Sequence, residues 1–395
     1  MEGRVHGRPE RPAAFVSDLL AAARYAEGLG HDRPVVLAYF PPVPINPYQA
    51  MLYRRTLTAG IAALPMRNLD GLDTLTSVAP SLVANGVTPA LHLHWLNRIT
   101  RYATDEAHAQ AEVQAFLARL DAFLAVGGRL IWTAHNVLPH DSRYPAADTV
   151  LRQGLADRAA LVHVVAGGTA EAIGDRYRLP PPERVIHVPH PSYRGAYPDG
   201  PDRDQARLAL GLSPDELVYA FVGAIRPYKG LTALLDAFDE VATDGRPRRL
   251  IVAGNPDKSA AVEAAIDACL AHPNVLLTTG LLPAEELAVV LRAADIAVLP
   301  YRDALNSGVL MLALTFGLPV VAPAIPGVTE LVDERVAATF QTGEAGALVA
   351  ALRRSEQLPG HAATARALEI AAAHDPDTLS ERFAAGLRAA LGPTP

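Results

Sequence analysis

LPYRDALNSGVLMLALTFGLPVVAP, residues Leu299 to Pro323, runs from an apolar strand end through a short polar turn into an apolar helix, which Gly317-Leu318-Pro319 closes before a second apolar run. Strand, helix and strand in so short a span describe one unit of a parallel sheet with its crossover helix. Asn306, Ser307 and Gly308 stand at the helix start with no acid close behind them. The first backbone N–H groups of a helix lack intrahelical partners and its dipole is positive there, so the turn reads as an anion site with Asn306 as cap. An ordinary N-cap is the plain structural alternative.

The same alternation extends in both directions. Toward the C-terminus, PVVAPAIPGVTELV adds a strand followed by Gly327 and Glu330. An ionised carboxylate beyond a strand end suits sugar-hydroxyl recognition, whereas Thr329 and Glu330 also fit a helix cap. Toward the N-terminus, short apolar runs are predicted as strands at 218–222, 249–253, 275–278 and 296–300, with helices at 230–242, 259–271 and 283–293, while 309–316 is the helix of the opening stretch and 345–355 a further helix beyond it. An earlier series places strands at 35–40, 90–95, 129–134, 160–165 and 184–188, and helices at 46–64, 107–126 and 148–155. Strands without polar alternation, separated by helices, indicate parallel sheets covered on both faces. The fold class is therefore α/β, with two Rossmann-like, doubly wound domains expected to face a cleft. The expected boundaries are an N-terminal extension at 1–33, a first domain at 34–192, a linker at 193–203, a second domain at 204–372 and a terminal helix at 373–395.

Bulk properties narrow the function. The chain has 395 residues, half of them hydrophobic, and a formal net charge of −7. That charge speaks against nucleic acid as the main partner. One cysteine, Cys269, cannot form an internal disulfide and suits a reducing cytoplasm, the expected location. No run of about 18 apolar residues marks a membrane span, which leaves a soluble protein or a loose membrane association. An oxidoreductase is disfavoured because no G-x-G-x-x-G opens a helix after the first strand.

In open parallel sheets ligands sit beyond the C-terminal strand ends. After Val222 comes GAIRPYKGL, where Gly223 lets the backbone approach a ligand, Arg226 offers a planar fork and Lys229 a compact charge. Lys229 and Lys258 are the only lysines, which draws attention to Lys229. After Ala253 comes GNPDK, a weaker signal centred on Gly254. In the first half, LIWTAHNVLPHD places His135, Asn136 and His140 beyond a strand, and histidine can donate to a sugar hydroxyl or move a proton near neutral pH. HLHW puts His94 or Trp95 near an acceptor or in the core, and Tyr48 in PPVPINPYQAMLYR offers a stacking face. His190 and Tyr193 lie at the expected hinge. The histidines lack metal-ligand spacing, so no metal and no separate cofactor is expected.

From FVGAIRPYKGLTALLDAF through to GLPVVAPAIPGVTELV the sequence resembles the C-terminal half of the nucleotide-sugar glycosyltransferases of family 4 and their relatives, over roughly residues 204–335 and loosely before that. The resemblance implies the GT-B fold and transfer of a sugar from a nucleoside diphosphate sugar to an unidentified acceptor hydroxyl, with retention of configuration. Lys229 matches the family's diphosphate-binding lysine, and His135 matches the histidine that contacts the donor sugar. The usual arginine position is Ala224, with Arg226 nearby. Registering on Gly317-Leu318-Pro319 puts Ala304 and Leu312 where the family carries two glutamates. The resemblance thus implies His135, Arg226 and Lys229 as catalytic groups, and Gly223, Gly254, Asn306, Ser307, Gly308 and Glu330 on the donor, with Asp303 a further option. Asn136, His140, Tyr48 and His94 fall on the acceptor side. Alternatives are an inverting transferase using Asp141 or Asp148 as base, or a sugar-nucleotide-binding protein without catalysis; a hydrolysing epimerase shares the fold, but its pattern of acids is missing here.

Overall fold

A computed structural model describes residues 12–28, 30–31, 33–140, 142–242, 245–302 and 304–392. The chain forms two compact units, Met1–Pro189 with Pro376–Pro395, and His190–Asp375. The first contains α1 (Pro12–Gly28), β1 (Val35–Phe40), α2 (Tyr48–Leu52), β2 (Ile61–Pro65), α3 (Asp70–Ala84), β3 (Thr88–Leu93), α4 (Glu106–Ala125), β4 (Arg129–Ala134), α5 (Pro145–Arg158), β5 (Leu161–Val164), α6 (Thr169–Ile173) and β6 (Val185–His187). The second contains α7 (Arg203–Ala209), β7 (Leu217–Val222), α8 (Leu231–Val241), β8 (Arg248–Gly254), α9 (Ala260–Ala271), β9 (Val275–Thr279), α10 (Ala284–Ala293) and β10 (Ile296–Val298). It continues with α11 (Gly308–Thr315), β11 (Val320–Pro323), α12 (Pro326–Thr329), β12 (Ala337–Phe340), α13 (Ala347–Ser355) and α14 (His361–Ala373), before α15 (Pro376–Leu391) joins the first unit.

Among the described residues each unit is built on one six-stranded sheet, ordered β2-β1-β3-β4-β5-β6 in the first and β12-β11-β10-β7-β8-β9 in the second. Every pairing between these strands is parallel. In each sheet the winding reverses once, between β1 and β3 and between β7 and β10, and such reversals open a crevice beyond the strand ends. Both faces of the first sheet are covered. Val36, Ala38, Leu91, Leu93 and Trp132 join one apolar cluster, and Val35, Leu37, Ala90 and Ile131 join another that α15 closes with Leu379, Phe383 and Leu387.

Four expectations need correction. The helix expected at 46–64 is the short α2, a single 3-10 turn at Leu57–Ala59, and then β2, because the apolar run Ile61–Pro65 pairs along β1 from Val35 to Tyr39. Residues 12–28 form a helix, as an amphipathic pattern ended by glycine leads one to expect, but its Phe15, Leu19 and Ala23 are buried in the first unit's core and so it is part of that unit and not a separate extension. The segment expected as a linker at 193–203 is held on the second unit, where Ser192 N donates to His374 O and Tyr193 N to Thr315 Oγ1. The units divide after Pro189 and after Asp375, whereas the expected domain ends were 192 and 372.

Phe383 is fully buried and its ring lies against His92 and His163 at centroid distances of 5.5 and 5.1 Å. Phe383→Ala should destabilise the first unit by roughly 3–5 kcal/mol through lost burial and the cavity left behind. Both tryptophans of the chain, Trp95 and Trp132, lie in that unit, so urea unfolding followed by tryptophan fluorescence measures the loss directly.

Candidate functional site

In the second unit the candidates gather at the reversal between β7 and β10. Lys229 ends a 3-10 turn and is buried. Its Nζ lies 3.4 Å from Tyr301 Oη and 4.8 Å from the centre of the Tyr301 ring, an approach favoured by the ring's negative face. Ser307 caps α11 by accepting a hydrogen bond from Leu310 N at 3.2 Å, and its Oγ is 3.5 Å from the same phenol. Tyr301 therefore links the lysine to the start of α11. A Cβ on Gly223 would sit 3.6 Å from Lys229 Nζ, and one on Gly254 would collide with the Gly223 carbonyl oxygen. The two post-strand loops pack backbone to backbone, which only glycine permits.

Arg226 is directed elsewhere. Its Nη1 donates to Ile225 O at 2.9 Å and Asn255 O at 3.0 Å, and its Nε lies 3.8 Å from Asp257, so the guanidinium staples the β7 loop to the β8 loop. Gly308 is backed by His190 and Tyr193, since a Cβ there would come within 2.8 Å of Tyr193 Oη and 3.1 Å of His190 Nε2. Glu330 is exposed at the end of α12, and Gly327 brings that helix against Leu305 and Asn306. Leu312 is buried in α11. Asp303 and Asp141 lie outside the described residues.

In the first unit His135 follows β4 and is buried, stacked on Trp95 at 4.2 Å with 17° between the rings. Its Nε2 is 2.9 Å from His94 Nδ1. Tyr48 is buried and meets His94, Trp95 and His135 edge-on, so it packs the histidines in place instead of offering an exposed stacking face. Asn136 and His140 are half-buried on the loop beyond His135. Asp148 is buried on α5, where one carboxylate oxygen accepts from Ser142 Oγ at 2.5 Å and Arg152 lies 3.7 Å from the other. Among the described residues no group of three or more His, Cys, Asp or Glu side chains is placed to hold a metal ion.

Residues 216–356 match the family described as glycosyl transferases group 1. The chain is 31% identical over 280 residues to a D-inositol 3-phosphate glycosyltransferase of Mycobacterium marinum, a match covering 67% of this chain and 59% of that protein. It is 27% identical over 244 residues to a GDP-mannose:glycolipid 4-beta-D-mannosyltransferase of Xanthomonas campestris pv. campestris, covering 62% and 64%.

Solved structures extend the likeness over both units. Sucrose-phosphate synthase from Thermosynechococcus elongatus superposes with a TM-score of 0.66 at 15% identity, covering 89% of this chain and 97% of that one. Anabaena HepE in complex with UDP-glucose gives 0.65 at 15% identity, covering 89% and 99%. The fold is GT-B. The chain spans less than two thirds of the length of the two curated relatives described above. Within the group 1 segment lie Gly223, Arg226, Lys229, Gly254, Asn306, Ser307, Gly308 and Glu330, together with Tyr301, which the sequence reading missed. Its signal was present, since Tyr301 is a polar aromatic directly after a strand that is otherwise apolar.

His190 sits against the start of α11. Its Nδ1 donates to Pro191 O at 2.8 Å, and burial pushes its pKa down to about 4. The unfolded chain, with an ordinary histidine pKa near 6.5, therefore takes up the proton first as pH falls. His190 should make the protein lose roughly 1.4 kcal/mol of stability per pH unit between about 6.5 and 4. His92 and His94, also held low by burial, act in the same direction. Urea unfolding at pH 7 and pH 5 should show a smaller difference in His190→Gln than in the wild type; an equal difference would refute the contribution.

Proposed function

We propose that this protein transfers a sugar from a nucleoside diphosphate sugar to an acceptor hydroxyl, with retention of configuration. The observation that carries the reading is the convergence of Lys229, Tyr301 and Ser307 on the start of α11, at the reversal of the second sheet. A buried ammonium beside unpaired helix amides is suited to a diphosphate, and a positioned donor of this kind typically contributes about 3 kcal/mol to the transition state. The departing phosphate then receives negative charge where cationic and amide groups already stand. It also offers an oxygen that takes the acceptor's proton. Arg226, tied to Asn255 O, shapes the loop that carries Lys229, and Glu330 and Asn306 are the polar groups proposed for the sugar or ribose. The relatives' names support the class of donor, since one is a GDP-mannose transferase and HepE was solved with UDP-glucose.

A second reading has one observation in its favour. Ala304 and Leu312 occupy the positions where family resemblance places two glutamates, which fits a sugar-nucleotide-binding protein without turnover. Release of nucleoside diphosphate from the donor, with and without candidate acceptors, separates the two. No described helix is long and apolar enough to cross a membrane, and a cytoplasmic enzyme using a donor substrate without a metal or further cofactor is the corresponding proposal.

Thermal unfolding should be followed with UDP, GDP, dTDP and ADP, and with NAD as control. A nucleotide at about 100 times its Kd stabilises the fold by roughly 2.7 kcal/mol. One nucleoside diphosphate should raise the Tm of the wild type and fail to raise that of Lys229→Ala, whose turnover should fall about 100-fold. A shift with NAD alone, or equal shifts in both proteins, would overturn the reading.

A further inference from the structure

The first unit contains a hydrogen-bonded chain of side chains inside its apolar interior. His135 Nε2 meets His94 Nδ1 at 2.9 Å, and His94 Nε2 meets Tyr53 Oη at 2.6 Å. Tyr53 Oη meets His92 Nδ1 at 2.7 Å, and His92 Nε2 meets Thr133 Oγ1 at 2.7 Å. Thr133 Oγ1 meets His163 Nδ1 at 3.1 Å, and His163 Nε2 ends the chain on Val188 O at 2.8 Å. His92, Thr133 and His163 are completely buried, and His94 and His135 nearly so. Phe383 covers the inner end, Trp95 and Tyr48 enclose the outer rings, and Tyr39 lies against Tyr53.

The chain has only one direction when its rings are neutral. A carbonyl oxygen can only accept, so His163 Nε2 carries hydrogen and its Nδ1 is a lone pair. Thr133 must then donate its single hydrogen to His163, and it accepts from His92 Nε2–H. That leaves His92 Nδ1 as an acceptor, filled by the Tyr53 hydroxyl hydrogen. Tyr53 in turn accepts from His94 Nε2–H, and His94 Nδ1 accepts from His135 Nε2–H. Burial holds His92 and His94 neutral by pushing their pKa values well below the ordinary histidine range, with the neighbouring histidines acting the same way. The Tyr53 hydroxyl is raised well above its ordinary value and keeps its hydrogen. Because the last acceptor is a backbone carbonyl, the chain has no outlet for a proton, so it selects a tautomer and does not conduct.

We infer that His94, Tyr53, His92, Thr133 and His163 are positioning residues that fix His135 as its Nε2–H tautomer, with Nδ1 the lone-pair nitrogen. A ligand hydroxyl that met His135 Nδ1 would then donate to it and not accept from it. The alternative arrangement is equally definite. A proton on His163 would reverse each bond and place the hydrogen of His135 on Nδ1, at the expense of a buried cation.

The test is nitrogen NMR of the full chain labelled with ¹⁵N-histidine, the His135 signals being assigned by their loss in His135→Gln. The expected wild-type pattern is a pyrrole-type Nε2 and a pyridine-type Nδ1. Thr133→Val keeps the side-chain shape but removes the link to the carbonyl, and should convert this into an averaged mixture of tautomers, while Thr133→Ser should retain the wild-type pattern. Thermal unfolding of each variant confirms that it is folded, and Tyr53→Phe provides a second break in the chain. A wild-type His135 with hydrogen on Nδ1, or a pattern unmoved in both folded variants, overturns the inference. The spectra need no substrate: a fixed Nε2–H tautomer in a protein that no nucleoside diphosphate stabilises would uphold the positioning chain and sink the transferase reading alone.

Discussion

A polar side chain sealed inside apolar surroundings has to find its partner there, since leaving it unpaired costs about 1–3 kcal/mol. In the first unit this condition applies to several groups at once. β3 contributes His92, β4 contributes Thr133, and β5 contributes His163, with Thr133 and His163 directly paired in register. Their partners come from outside the sheet: Tyr53 after α2 bridges two histidines, and the Val188 carbonyl terminates the series. The position of α2, the packing of Phe383 and the placement of His135 at the sheet's rim are tied together by one connected set of bonds. Such a network is sensitive as a whole, because losing any member leaves buried neighbours without partners.

The second unit meets a different requirement with different means. Its site is made largely from backbone, brought close by glycine: Gly254 packs on the Gly223 carbonyl, and Gly308 leaves room for His190 and Tyr193. Few side chains then suffice. Lys229 lies against Tyr301, Tyr301 meets Ser307, and Ser307 closes the first turn of α11. Arg226 is used to hold two loops together through Ile225 O and Asn255 O. The same arginine fork that suits a phosphate suits a pair of carbonyls, and residue type alone does not distinguish these uses.

This division explains what was legible in the sequence. The parallel architecture could be read because the strands are continuous apolar runs, and the post-strand loops because glycines and isolated charges interrupt them. Lys229, Ser307, Gly308 and His135 were singled out as candidates in this way. Strand β2 was not, since Ile61-Ala-Ala-Leu-Pro has no period of its own and only its register with β1 makes it a strand. The roles of Tyr53, Thr133 and His163 were hidden for a related reason. Each looks like one polar residue in an apolar setting, and their connection exists only across three strands and a loop. His92 and His94 did carry a signal, an i, i+2 pair at and just beyond the end of β3 that strand alternation directs to one face.

The first unit is discontinuous along the chain, because α15 completes it after the whole second unit has been traversed. Phe383, Leu379 and Leu387 close the apolar face over Leu37, Ile131 and Leu161. On the ribosome, then, the residues that begin the first sheet emerge early but cannot bury that face until α15 has been made. The intervening unit, His190–Asp375, has all its strands available sooner and can finish first. For this molecule the usual order, in which a domain nearer the N-terminus is completed before the one that follows it, is inverted, because the first unit closes only when α15 has been made.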